Sequence, residues 1–302
     1  MKKLLFLACF ATLMACNNDD DNTPVIENPE PAGLAYAVSD SDFSTTYNGL
    51  RAALQSNSNI KIVAEINHRA NAQSVGKELR NTRLLIFGNP ALGTPVMQAN
   101  QQAGLDLPQK ILVYEDEDNN VFATYNSTDY LAKRHNVANA STLQQISSAL
   151  SGFVTEATGD NISENSSASI TAGQGVFTSI SQNDFSTTYN KLRNAISDNA
   201  DLAIIAEVDH SANAQSVGMQ LNDTRLIIFG NPEAGTPLMK DSQTTAIDLP
   251  QKMLVWENDG GEVRISYNNP EYLRVRHGLD ESDDVVQQIK TLLANLAIDA
   301  AN

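Results

Sequence analysis

The stretch Leu84–Pro95, LLIFGNPALGTP, returns as LIIFGNPEAGTP from Leu226 to Pro237, and its neighbourhood returns with it. His68 and His210, Gly88 and Gly230, and His135 and His277 are each 142 residues apart (210 − 68, 230 − 88, 277 − 135), which leaves no insertion or deletion between the copies. A chain written twice folds as two like bodies, each with the same apolar pattern and each long enough to bury a core. Inside the stretch, Leu84–Phe87 predicts an apolar strand and Gly-Asn-Pro the turn that follows. Thr94 is suited to cap a helix and Pro95 to be its first residue, since proline lacks only an N–H that this position leaves unpaired.

The rest of the unit reads in order. Phe43, Tyr47, Leu50 and Leu54 recur at three and four residues behind the caps of Ser39–Ser44, a helical face. Ile60, Ile62, Ala64 and Ile66 alternate with Lys61, Val63, Glu65 and Asn67, a half-buried strand that ends at His68. Ala70–Leu79 predicts a short helix interrupted by Gly76, and Pro95–Ala103 a helix that stops at Gly104. Lys110–Glu115 and Val121–Asn126 predict a hairpin across Asp116–Asn120, and in the second copy Asn258-Asp259-Gly260-Gly261 is a clearer turn. Terminal helix follows from Asp129 to His135 and from Ser141, and in the second copy from Ser282, with Val285, Ile289, Leu292 and Leu296 on one face. The expectation is an α+β fold: two similar domains, each a mainly antiparallel sheet covered by helices. The units are residues 34–157 and 176–302, joined by a Ser/Asn/Gly-rich, flexible linker at 158–175.

The start of the chain carries an address. Lys2 and Lys3, an apolar run from Leu4 to Met14 too short to span a bilayer, and Leu13-Met14-Ala15-Cys16 resemble a bacterial lipobox. Residues 1–15 are then a lipoprotein signal peptide, Cys16 the lipidated first residue, and 16–33 an acidic and proline-rich tether whose Asn17–Asp21 resembles a surface-export signal. The expected place is the cell envelope, anchored to the outer membrane by lipid and facing the periplasm or the surface. Cys9 falls in the removed part, so after Cys16 no thiol remains for nucleophilic or zinc chemistry. The 302 residues hold 20 Lys and Arg against 36 Asp and Glu, a formal charge of −16, or −18 once Lys2 and Lys3 are removed. Such a surface is well hydrated and lacks the basic footprint that a nucleic-acid partner needs.

IFGNP, GTP, DLPQK, a strand ending in YED or WEN, and then YN, YL and RH resemble the domain of unknown function 302 family, here in tandem over nearly all of each unit. The resemblance implies a fold similar to the TATA-box-binding-protein-like class, with no DNA binding attached to that shape. It implies no activity. The copies depart from each other at Lys61 and Ala203 and at Arg69 and Ser211.

Polar residues held in both copies are the site candidates: Glu65, His68, Thr94, Lys110, Arg134 and His135, with Glu207, His210, Thr236, Lys252, Arg276 and His277. All four histidines of the chain are among them. Glu65, His68 and His135 would suit a divalent metal if they converged, whereas a structural reading pairs Glu65 with Lys110 on a sheet face. Lys110 could meet an anion or act as a base, and Arg134 could clamp a carboxylate or cap a helix. GNPxxGTP ends at a helix N-terminus that could receive an anion, although it lacks the lysine of a Walker loop, and no G-x-S-x-G elbow occurs. The expected function is a pair of modules binding a small anionic ligand or a metal. An acid–base enzyme using the Glu, His and Lys side chains is one alternative. A structural or interaction protein whose two units pack as a pseudo-dimer is the other. The sequence leaves the identity of any cofactor open.

Overall fold

The computed structural model describes residues 26–302, so the expected signal peptide, Cys16 and the first part of the expected tether lie outside the described residues. The first half runs β1 (Leu34–Val38), α1 (Phe43–Ser56), β2 (Lys61–Asn67), α2 (His68–Ser74), β3 (Thr82–Gly88), α3 (Pro90–Ala99), a 3-10 turn (Gln101–Leu105), β4 (Gln109–Glu115), β5 (Val121–Asn126), α4 (Thr128–His135) and α5 (Leu143–Thr158). A two-residue strand β6 (Ser163–Glu164) follows. The second half repeats the order as β7 (Val176–Ile180), α6 (Phe185–Ser197), β8 (Ala203–Asp209), α7 (His210–Ser216), β9 (Thr224–Gly230), α8 (Pro232–Asp241), a 3-10 turn (Gln243–Ile247), β10 (Gln251–Glu257), β11 (Val263–Asn268), α9 (Pro270–His277) and α10 (Asp283–Ala301).

The first sheet has the order β2-β3-β4-β5-β1-β6, and the second, read from its other edge, has β8-β9-β10-β11-β7. Neighbours in both are antiparallel, which fits the expected α+β class of two like domains. Local chemistry sets the elements. Asp42 accepts from the Thr45 N–H at 2.9 Å and starts α1, whose Phe43, Tyr47, Leu50 and Leu54 are buried as their spacing requires. The register slips between Ile62 and Ala64, and again between Ile204 and Ala206, so each outer strand is bulged at the same place.

Each sheet is covered on both faces. Leu85, Phe87, Ile111 and Val113 pack under the first half's own helices with Leu50, Leu54 and Leu150. Their strand neighbours Leu84, Ile86, Leu112 and Tyr114 point the other way and join one apolar cluster with Leu226, Leu254 and Trp256 of the second half. The two sheets therefore share a core. The 3-10 turns interlock reciprocally: Gln101 Nε2 donates to Thr224 Oγ1 at 2.9 Å, and Gln243 Nε2 to Thr82 Oγ1 at 2.8 Å. Such exchange relates the halves by a pseudo-twofold axis.

Four sequence expectations change. The third helix starts at Pro90, because Asn89 caps it and Pro90 takes the first position; Thr94 and Pro95 lie a turn inside. The interval of 142 does not reach the last helix, where Gln144-Gln145-Ile146 answers Gln287-Gln288-Ile289 at 143, one residue having entered the loop after His277. The connection 158–175 is docked rather than flexible. Ser163–Glu164 pairs with β1, Ile170 is buried against Tyr130 and Leu131, and the Asn165 side chain donates to the Pro29 and Pro31 carbonyls. Those last bonds fasten the end of the tether as well, with Pro29 and Pro31 buried.

A shared core predicts one unfolding transition. Urea curves followed by fluorescence of Trp256, the single tryptophan, and by far-ultraviolet circular dichroism of the whole chain are expected to coincide, whereas a biphasic dichroism curve would mean independent halves.

Candidate ligand clefts and the buried charge cluster

The shared face carries charge at its centre. Strand alternation that turns Leu112 and Tyr114 inward also turns Lys110 inward, and α4 delivers Arg134 and His135 to the same place. Asp106, at the end of the 3-10 turn, receives Arg134 Nη1 at 2.6 Å and His135 Nε2 at 2.7 Å, with Lys110 Nζ 3.8 Å from its other oxygen. Asp248 repeats this with Arg276 at 2.7 Å and His277 at 2.9 Å. Each guanidinium then crosses to the other half. Arg134 Nη2 donates to Asn268 Oδ1 at 2.8 Å, and Arg276 Nη2 to Asn126 Oδ1 at 2.6 Å. Arg134 lies over Tyr272, Arg276 over Tyr130, and the hydroxyl of Tyr272 donates to that of Tyr130. Arg134 also donates to the Gly175 carbonyl; Gly175 has φ +67° and packs so close to Tyr272 that a Cβ would overlap the ring.

Burial opposes ionisation of both aspartates, yet the adjacent arginine, with the histidine and lysine beside it, holds Asp106 and Asp248 well below the usual carboxylate range. Burial first, and then the neighbouring Lys110 ammonium, push Lys252 down to about 7. The carboxylate that Arg134 clamps is thus the protein's own. The charged members are nearly closed to solvent, and Arg276 and His277, with the half-buried Tyr272, border a wide polar hollow of about 790 Å³.

Two clefts flank it, one in each half, and each is completed by the other half. The first lies between β2, the Gly88–Thr94 corner, the cis Leu107–Pro108 peptide and α5, with apolar walls from Phe87, Leu92, Met97, Ile146, Leu150 and Phe153. Its polar groups are Lys61, Asn89, Thr94 and Gln109, and His210 and Asn213 reach in from α7 of the second half. The second cleft is lined by the matching residues, including Asn231, Thr236 and the cis Leu249–Pro250 pair, with His68 and Asn71 reaching in from α2 of the first half. The volumes are about 100 and 220 Å³. The second cleft has Ala234 where the first has Leu92.

His210 Nε2 sits 3.3 Å from the Gly104 carbonyl, while His68 Nε2, Thr94 Oγ1 and Thr236 Oγ1 are buried without a hydrogen-bond partner among the described residues. Burial pushes His68 and His210 down to about 4, so both rings are neutral near pH 7.

The sequence candidates therefore fall into three places. Thr94 shares the first cleft with His210, and Thr236 the second with His68. Lys110, Arg134, His135, Lys252, Arg276 and His277 form the central cluster. Glu65 and Glu207 belong to neither. Glu65 meets Arg51 at 2.8 Å and the Tyr47 hydroxyl at 3.0 Å on the outer face, and Glu207 meets Arg193 and Tyr189 in the same way. The convergence of Glu65, His68 and His135 is thus overturned, as is the pairing of Glu65 with Lys110: strand β2 carries Glu65 outward and His68 into the opposite half. No group of three His, Cys, Asp or Glu side chains among the described residues could hold a metal ion. The helix N-terminus is also spent, since the Ala91 N–H goes to Asn89 Oδ1, those of Leu92 and Gly93 go to the Asn89 carbonyl, and Pro90 has none. Asp106, Asp248, Asn126, Asn268, Tyr130 and Tyr272 went unselected, although the strings DLPQK, YN and YL hold them at matched positions in both copies.

These features define a tandem α+β protein whose halves lock through buried charge and share two clefts. Residues 35–153 and 177–296 each match the profile of the Domain of unknown function DUF302. The chain belongs to that family and carries its domain twice. An 82-residue stretch is 46% identical to the fluoride-specific ion channel FluC 1 of Brucella suis biovar 1 (strain 1330), covering 27% of this chain and 32% of that protein. FluC 1 of Brucella abortus biovar 1 (strain 9-941) is also 46% identical over 82 residues, 30% of its length. The chain thus spans about a third of the curated relatives it matches. The crystal structure of an uncharacterized conserved DUF302 protein from Bacillus stearothermophilus is similar at 15% identity and a TM-score of 0.39, over 43% of this chain and 99% of that one.

Burial lowers His135 and His277 as well, against the pull of their aspartates. Below the unfolded histidine value of about 6.5 the unfolded chain takes up protons that the folded chain refuses, so stability is full above that pH and falls as pH drops towards 4. Urea unfolding at pH 7 and pH 4.5 is expected to show a loss on the order of 2 kcal/mol for each of His68 and His210. A His68→Gln, His210→Gln double variant is expected to flatten that dependence, and an unchanged slope would contradict the assignment.

Proposed function

We propose that this protein binds small molecules with an apolar body and a hydrogen-bonding polar head, one in each cleft, at the edge of a cell-envelope membrane to which lipid on Cys16 tethers it. The observation that carries the reading is the repeated composition of the clefts. Apolar walls surround a buried threonine hydroxyl, unpartnered in both, and a neutral histidine lent by the opposite half. A mainly apolar concavity with few, placed polar groups is the common form of a small-molecule site. A volume of 100 to 220 Å³ suits a body about the size of a benzene ring.

An acid–base enzyme needs Glu65 or His68 beside Lys110 or Arg134, and those side chains stand on different faces. A purely structural pairing accounts for the apolar contact between halves but not for two matched clefts. Fluoride conduction belongs to the channel relatives. Their match covers about a third of their length, and no helix among the described residues is long and apolar enough to cross a membrane.

The test is ligand-detected magnetic resonance with benzyl alcohol. Wild-type protein is expected to bind it, and the Thr94→Val, Thr236→Val double variant, which keeps shape and loses the hydroxyls, about three- to tenfold more weakly. Equal binding by the variant would remove the support for the reading.

A further inference from the structure

The two clefts differ at one charged position. Strand β2 places Lys61 directly across from Gly88, and with Val63 on the same side of the strand it lines the mouth of the first cleft. The matched position across from Gly230 is Ala203. Lys61 is the sole charged residue lining the first cleft, and none lines the second, although the chain as a whole carries −16. An acidic protein that presents a single ammonium to an apolar hollow, with no carboxylate beside it, offers a negative head the one charge that attracts it there. The ordinary role of a lysine on an outer strand is to discourage pairing with another chain. Glu207 serves that end on β8, as Glu65 does on β2, so edge protection does not require Lys61 to face the cleft.

We infer that the clefts take different ligands: the first selects a small monocarboxylate with an aromatic or short aliphatic body, whose carboxylate meets the Lys61 ammonium at the mouth. The second takes the neutral counterpart. The apolar body lies against Leu150 and Phe153, with Thr94 and His210 below. This inference rests on the proposed ligand clefts, and its test separates the two.

Titration calorimetry of the whole chain with benzoate and with benzyl alcohol, probes of one shape and different charge, reads it directly. Benzoate is expected to occupy one site per chain, to weaken about three- to fivefold in Lys61→Met, which keeps the apolar stem, and to weaken with added salt. Benzyl alcohol is expected to bind wild type and Lys61→Met alike, and Ala203→Lys to create a second benzoate site. Alcohol binding together with benzoate binding that ignores Lys61→Met would overturn this inference alone. Binding of neither probe would overturn it together with the proposed clefts.

Discussion

The structure depends on a face-to-face contact that each half needs in order to be covered. Strands β3, β4, β9 and β10 are apolar on both sides, so helices alone leave one side of every sheet wet. Burying such a face is worth roughly 25 cal/mol per Å² of apolar surface, and the face that meets it belongs to the other half. The contact then buries charge. An arginine inside an apolar boundary is tolerable only if its donors are met, and Arg134 and Arg276 meet theirs partly at home, on Asp106 and Asp248, and partly across the axis, on Asn268 and Asn126. Removing either side would leave a buried charge or amide without its partner, so the cluster dictates which face meets which and in what register.

The same register makes the clefts. Helices α2 and α7 begin where the bulged outer strands end, and docking the sheets carries His68 and His210 over the boundary into the opposite corner. Neither half has a complete cleft alone. That offers a physical reason for the histidines to persist in both copies: their neutral rings close apolar hollows, and His210 approaches the Gly104 carbonyl of the other half.

Much of this was legible in the sequence. The duplication, the element order and the antiparallel α+β class follow from periodicity and turn residues, and the cap at Asp42 lies within the capping stretch Ser39–Ser44. The unbroken apolar runs Leu84–Phe87 and Ile111–Tyr114 are the mark of strands buried on both faces, which a covering of helices does not by itself require. The start of α3 was misplaced because Asn89-Pro90 and Thr94-Pro95 are equally good cap pairs locally, and only the fold chooses the earlier one. Site residues were selected well by type and badly by grouping. Matched retention found His68, Thr94, Lys110, Arg134 and His135, but which of them meet depends on an intramolecular pairing that no spacing encodes. Asp106 and Asp248 are hard to read from sequence because a carboxylate two residues before a proline, in Asp-Leu-Pro, reads as a turn residue. The docked connection at 158–175 was missed because its contacts are backbone bonds and single side chains without period.

The central claim is that the halves are bonded across their axis by the arginines. A double-mutant cycle on Arg134→Lys and Asn268→Ala, residues 134 positions apart in sequence and 2.8 Å apart in the fold, tests it by urea unfolding of the two single variants and the double. The account predicts a coupling energy of about 1–2 kcal/mol. Effects that simply add, within about 0.5 kcal/mol, would contradict it.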